Sequence, residues 1–291
     1  MAMTSWTMDI AGRRVWALAD GPSDGVLVLL LHGFPDSPYT WRYLMPRLAE
    51  EGYRVVAPAM RGYAPTGPAA DGRYDTPRLG QDSIDLHEAL GGSRPGVLIG
   101  HDWGADAVYA ALRAEPRRWS AAVAASDPPM AERPVDLVNP AQLRRSWYSH
   151  LLQLPIGARL LRDDEFALVA GLWADWSPGY DAGEDVHNAR AALAPEGCAE
   201  AAAQYYVQDA TALPSDAEAH NERAAMHDVD VPLLYLHGRR DGCIGVDVLD
   251  EPAVALPPGT DIHVIEEAGH FLHLEQPDQV AQLILGHIAR T

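Results

Sequence analysis

The sequence predicts an α/β fold: a mostly parallel sheet flanked by helices, with a helical segment inserted before the sheet is complete. Three observations carry this reading. Short unbroken apolar runs such as Val26–Leu31 alternate with longer stretches of helical period, as expected when parallel strands are covered on both faces. One such run, Val97-Leu98-Ile99, turns through the small-residue corner Gly100-His101-Asp102-Trp103-Gly104-Ala105 straight into a helical pattern. From about Arg133 to Arg223 the strand text stops altogether, and it resumes at Val231.

The elements follow in order. Ser5–Ile10 and Arg13–Ala19 read as two strands about the turn Ala11-Gly12, and Val26–Leu31 reads as a fully buried strand. A helical pattern covers Tyr39–Glu51, ending near Gly52, and Tyr53–Pro58 is the next strand. After a polar loop over Arg61–Asp75, Pro77–Gly91 suggests a helix that leads to the corner. The helix after the corner runs over Ala105–Arg117, and Ser120–Ala125 is a further strand. The segment that follows is rich in Trp, Tyr and Ala and helical in period. Leu233–Gly238 and Asp261–Ile265 complete the sheet, and a terminal helix spans Gln276–Ala289. Residues 1–134 and 224–291 are thereby expected to form one core. Residues 135–223 form a helical cap over the carboxyl ends of the strands, where ligands bind in such sheets.

Composition narrows the function. The formal net charge of −19 repels nucleic acid and anionic membranes, so neither is expected as a partner. All 22 basic residues are arginine, which removes lysine Schiff-base and Walker-type chemistry. Cys198 and Cys243 make no metal-binding spacing and no disulfide framework, and read as reduced thiols. The first residues lack a signal-peptide layout, and the longest apolar run is too short to span a bilayer. A cytoplasmic protein, monomer or homodimer, without metal or cofactor, is the expectation.

The corner carries the chemistry. A strand, a sharp turn and a helix with small residues about a central reactive side chain make a nucleophile elbow, and Asp102 occupies the reactive position. The N-terminus of the following helix favours its ionised form. Asp241, just beyond the strand ending at Gly238, and His270, after the last strand, complete the order nucleophile, acid, histidine. The histidine serves as base and the acid orients it. The backbone N–H groups of Phe34 and Trp103 are placed to form an oxyanion hole. Taken singly, each residue has a plainer reading. Asp102 suits a helix N-cap, Asp241 a turn before Gly242, and Asp127 competes with Asp241 as the acid.

Over nearly its whole length the chain resembles the α/β-hydrolase fold enzymes that carry an aspartate nucleophile, most closely the soluble epoxide hydrolases. The resemblance rests on HGFPDSPYTWR from His32, GHDWGA from Gly100, LHGRRD from Leu236 and GHFLHLEQP from Gly269. In the cap, Trp147–Pro155 and Gln204-Tyr205-Tyr206 are similar to the two cap-tyrosine motifs, which fall on Tyr148 and Tyr206. The chain departs from the family pattern twice: Ala59-Met60-Arg61-Gly62 lacks the usual acidic residue, and Val207 replaces a basic one.

The resemblance implies hydrolysis of a small-molecule epoxide by water. Asp102 opens the ring, Tyr148 and Tyr206 protonate its oxygen, and His270-activated water cleaves the resulting ester. His32, Pro35, Trp173 and Phe271 are candidate pocket residues, with Trp176 as further apolar surface of pocket or core. His32 and His101 read as structural hydrogen-bonders rather than bases, and amphipathic core is the plainer alternative for the two tyrosines. Other functions use the same scaffold. A haloalkane dehalogenase would share Asp102, Trp103 and His270, but Phe34 offers no side-chain donor to a halide. A fluoroacetate-type dehalogenase would need arginines beside Asp102, where Trp103 and Asp106 stand. A non-catalytic ligand-binding homologue would not need the nucleophile, acid and base together.

Overall fold

A computed structural model describes residues 3–130, 139–211, 226 and 228–291. Eight strands form one sheet in the order β1-β2-β4-β3-β5-β6-β7-β8. They are β1 (Thr4–Ile10), β2 (Arg13–Asp20), β3 (Leu27–Leu31), β4 (Arg54–Pro58), β5 (Gly96–His101), β6 (Trp119–Ala125), β7 (Leu233–Gly238) and β8 (Asp261–Ile265). β1 and β2 pair antiparallel, as do β2 and β4, and every pairing from β4 to β8 is parallel. The fold is the α/β-hydrolase fold. Along β3, Val28 and Leu30 enter one core while Leu27, Leu29 and Leu31 enter the other. Both faces are therefore dry, which is why the sequence shows an unbroken apolar run rather than an alternation.

Helices α1 (Leu44–Glu50), α2 (Thr76–Ala89) and α3 (Trp103–Ala114) belong to the first part of the core. The helix expected over Tyr39–Glu51 is two pieces, a 3-10 turn at Pro38–Trp41 and then α1. Pro46 lies in the first turn of α1, where its missing N–H costs nothing but where a helix continuing from upstream would need that donor. Helix α3 stops at Ala114 rather than Arg117, because Pro116 opens a separate 3-10 turn. Helix α2 is capped by Asp75, whose side chain accepts from the Arg78 N–H.

Between β6 and β7 lie α4 (Pro140–Arg145), α5 (Trp147–Leu152), α6 (Gly157–Trp176), α7 (Gly183–Leu193) and α8 (Cys198–Thr211). The backbone leaves helical geometry inside α6 at Asp163–Phe166. The boundaries expected at 134/135 and 223/224 lie outside the described residues. Several contacts fasten this helical layer to the core. Arg42 forks onto Asp185 of α7 at 2.5 and 3.1 Å, a bidentate pair. Tyr205 donates to the Arg61 carbonyl at 2.7 Å, Gln208 Oε1 accepts the Tyr74 N–H at 2.7 Å, and Trp173 donates its indole N–H to the Pro35 carbonyl at 2.9 Å. Arg61, whose neighbours lack the expected acid, is buried against Asp82 of α2 instead, at 2.6 and 2.8 Å. After β8 a short helical turn, Leu272–Glu275, precedes α9 (Pro277–Ile288). Among the described residues no helix is long and apolar enough to cross a membrane.

Candidate active site

Parallel strands end on one edge, so the loops after β3, β5, β7 and β8 converge there. Asp102 sits between β5 and α3 at φ 54°, ψ −127°, a conformation that side chains other than glycine rarely adopt and that costs roughly 1–3 kcal/mol. The corner is kept by close approach on both sides. A Cβ at Gly100 would overlap the Gly104 carbonyl, and one at Gly104 would overlap the Leu31 carbonyl. The strain is thus over-determined by packing, and the carboxylate is aimed out of the elbow.

The loop after β3 brings the Phe34 N–H to Asp102 Oδ1 at 2.7 Å, leaving Oδ2 facing His270. His270 Nε2 lies 3.5 Å from that oxygen, too long for a good hydrogen bond, and is buried without a hydrogen-bond partner. On its other side His270 Nδ1 meets Asp241 Oδ2 at 2.9 Å. Asp241 is itself held, because its Oδ1 accepts the N–H groups of Cys243 and Ile244 at 2.8 and 2.9 Å. Asp127 is not the partner of His270: its carbonyl takes the Tyr109 hydroxyl at 2.9 Å, and burial with Asp106 and Asp102 nearby pushes its carboxyl well up.

The charges follow from these contacts. Burial opposes ionisation of Asp102, but His270, His101 and the Phe34 N–H outweigh it and hold the carboxyl below its ordinary range. Burial also pulls His270 down, yet Asp241 and Asp102 overcome it and push the imidazole up to about 10. The resting site is an imidazolium between two carboxylates. His32, with its two ring nitrogens on the Gly33 carbonyl and the Met60 N–H, is driven down to about 4 by burial and stays neutral.

Above Asp102 the helical layer supplies a ring of aromatic side chains. Phe34 stacks at 6.3 Å on Tyr148 and meets Tyr206 edge-on at 5.3 Å, and the two tyrosine rings lie 5.7 Å apart. Burial, together with Asp102, pushes both phenols well up, so each keeps its proton at neutral pH. The neighbouring tyrosines of α8 differ in what their hydroxyls do. Tyr205 spends its proton on the Arg61 carbonyl, whereas Tyr206 Oη is buried with the Trp103 indole beside it and no acceptor for its proton. Trp103 lies beside Tyr206 at 5.3 Å.

Of the expected pocket residues, Trp173 and Phe271 stack face to face at 3.4 Å, and Pro35 is tied to Trp173 through its carbonyl. His32 is spent on the backbone. Two residues that the motifs did not single out as catalytic stand closer to the reacting atoms. Trp176 contacts Tyr148 at 4.7 Å and His270 at 5.1 Å. Cys243 Sγ lies 3.2 Å from Tyr148 Oη and within 4.8 Å of the facing atoms of Asp102 and His270. Burial, Asp241 and Asp102 push this thiol well up, so it is a protonated partner and not a second nucleophile. Its place two residues after Asp241 is the sequence signal that could have revealed it.

A sequence profile of the alpha/beta hydrolase family matches residues 28–283. Epoxide hydrolase 3 of Xenopus tropicalis is 31% identical over 287 residues, covering 95% of this chain and 75% of that protein. The AB hydrolase superfamily protein YfhM of Bacillus subtilis is 30% identical over 281 residues, covering 95% of each. A solved structure of Bacillus megaterium epoxide hydrolase shares the fold with a TM-score of 0.82 at 23% identity, covering 98% of this chain and all of that one (100%).

Proposed function

The chain belongs to the alpha/beta hydrolase family, and from that premise we propose that it is an epoxide hydrolase working through a covalent ester on Asp102. The observation that carries this reading is the pair of protonated, buried phenols over the nucleophile, one of them with no acceptor for its proton. A strained ether can be opened by a carboxylate only if its departing oxygen receives a proton, and Tyr148 and Tyr206 are acids at the right place. A halide would leave without one.

The steps balance. Asp102 Oδ2 attacks an epoxide carbon, the C–O bond breaks, and the alkoxide takes a tyrosine proton. The resulting tyrosinate is a stronger base than His270, so the imidazolium proton moves to it. Loss of charge on Asp102 removes one of the two carboxylates that kept His270 protonated. The imidazole is therefore neutral when it is needed, and it draws a proton from water that attacks the Asp102 carbonyl carbon. The Phe34 N–H, already directed at Asp102 Oδ1, and the Trp103 N–H serve the tetrahedral oxyanion. Removing one such donor typically costs about 3 kcal/mol of barrier. The tetrahedral state collapses, the departing diol oxygen takes the proton held by His270, and the acid formed on Asp102 returns its proton to His270, which restores the carboxylate and the imidazolium. The helices between β6 and β7 act as the cap that keeps other water out.

Incubating purified protein with styrene oxide, terminal alkyl epoxides and 1-bromoalkanes tests the assignment. Diol from the epoxides is expected, and bromide release without diol would overturn it. The protonation logic has its own check. Asp102→Asn keeps the shape but removes a charge, so the His270 titration, followed by its Cε1–H NMR signal, should fall from about 10. In the native protein the extra stability from this raised value is complete below the unfolded value of about 6.5 and is lost as pH climbs through 10. A His270 titration unmoved by the substitution would remove Asp102 from this role.

The acid is tested by Asp241→Asn. The amide oxygen can still accept from Cys243 and Ile244, but the His270 Nδ1–H then loses its acceptor and the ring its tautomer. Ester hydrolysis should slow by up to about 10⁴-fold while alkylation of Asp102 persists. Asp127→Asn should change little. Single-turnover kinetics showing the opposite ranking would make Asp127 the acid.

A further inference from the structure

Behind the catalytic histidine, three buried side chains that this reaction does not use turn toward one another. Asp36, His101 and His273 are 2%, 0% and 3% exposed, and one donor atom of each lies within 4.8 Å of the other two. Their remaining polar atoms are already engaged. His101 Nε2 meets the His270 carbonyl at 2.9 Å, and a carbonyl only accepts, so this nitrogen carries the hydrogen. Buried beside the cationic His270, the ring holds a single proton, and Nδ1 is a bare lone pair. His273 Nε2 meets Thr40 Oγ1 at 2.5 Å, and burial, with His270 and Arg42 nearby, keeps this ring to a single proton. With that proton on the Thr40 side, Nδ1 is bare as well. Asp36 Oδ1 takes the Ser37 N–H at 2.7 Å.

What is left over is Asp36 Oδ2, His101 Nδ1 and His273 Nδ1, each buried without a hydrogen-bond partner. Burial pushes the Asp36 carboxyl well up, so these three atoms either share a proton carried by Asp36 or hold something positive among them. Neither nearby cation is free for this: the Arg42 guanidinium is forked onto Asp185, and His270 is held by Asp241 and faces Asp102.

We propose that Asp36, His101 and His273 form a cation site that takes one borderline divalent ion such as Zn²⁺ through the two Nδ1 atoms and a carboxylate oxygen. Two imidazoles and a carboxylate are a ligand set that zinc accepts, with a fourth position for water. The surroundings are those of a metal-bound histidine. Each ring donates its far N–H to a fixed oxygen, the His270 carbonyl or Thr40, which sets tautomer and orientation. Trp41 covers the face of His273 at 4.6 Å. The ion touches no substrate. It joins the loop that carries Phe34 to the segment that carries His270, and so stiffens both from behind.

The test uses full-length protein stripped with a chelator, checked for folding by circular dichroism, then equilibrated with Zn²⁺ or Co²⁺. Uptake of about one ion per chain with a rise in Tm is expected. Cobalt should give tetrahedral d–d absorption without a thiolate charge-transfer band. That last readout matters because Asp102, Cys243 and His270 also lie within 4.8 Å of one another. His273→Gln and Asp36→Asn should each abolish the uptake. Stripped, folded wild type that binds no zinc would overturn the site, and Asp36 would then be a neutral acid sharing a buried water with the two rings. A thiolate band, or variants that bind zinc as the wild type does, would overturn it equally. Where a variant fails to fold, the wild-type stoichiometry and cobalt spectrum decide alone.

Discussion

His270→Gln should convert the enzyme into one that reacts once and stops. The glutamine cannot take a proton from water, so the ester on Asp102 outlives its formation, and hydrolysis should slow by roughly 10²–10⁴-fold. Asp102 keeps its Phe34 N–H and its elbow, so attack on the epoxide continues. Intact-protein mass spectrometry should then show a gain of the full substrate mass, since ring opening loses no fragment. Peptide mapping should place it on the segment holding Asp102. A gain short by hydrogen halide, seen only with haloalkanes, would move the chain to the dehalogenase reading. No gain with any electrophile, in a folded variant, would remove Asp102 as nucleophile. The experiment isolates the second half-reaction, because His270 is the one group whose protonation must change between the two halves.

The fold and the four loops at its carboxyl edge were readable because each leaves a local mark. β3 and β5 are apolar on both faces, the elbow needs glycine at Gly100 and Gly104, and Asp241 and His270 each follow a strand ending at that edge. The parallel register then brings Phe34, Asp102, Asp241 and His270 together without further information. Contacts between the helical layer and the core left no such mark. Tyr148 and Cys243 are 95 residues apart in the chain, and Trp176 meets His270 only once α6 is folded over the sheet. Nothing local separates Trp176, which faces the reacting atoms, from Trp173, which packs on Phe271 and the Pro35 carbonyl. The two tyrosines of α8 show the same limit. Only the tertiary structure reveals that Tyr205 is committed to the Arg61 carbonyl while the Tyr206 proton has no acceptor.

That difference sets the terms for replacing Tyr148 and Tyr206 together by phenylalanine. Tyr206 Oη has only the Trp103 indole beside it and no acceptor for its proton, so its loss should change Tm little. Tyr148 gives up one contact, to the Cys243 thiol, a weak hydrogen-bonding group whose loss is tolerable. The double variant should therefore fold. Its ring-opening step should nevertheless slow by roughly 10²–10⁴-fold, the usual worth of a positioned acid, and each single variant should fall between. A carboxylate facing an epoxide without an acid has to expel a bare alkoxide into an apolar space, which is what the phenols prevent. With a bromoalkane the leaving group needs no proton, so any alkylation of Asp102 should be nearly indifferent to the same change. The contrast between the two electrophiles, measured by rapid-quench mass analysis in the His270→Gln background, separates acid catalysis from mere packing around the pocket. Equal slowing with both substrates would make the tyrosines part of the pocket wall, and an unaltered epoxide rate would leave the departing oxygen to some other donor.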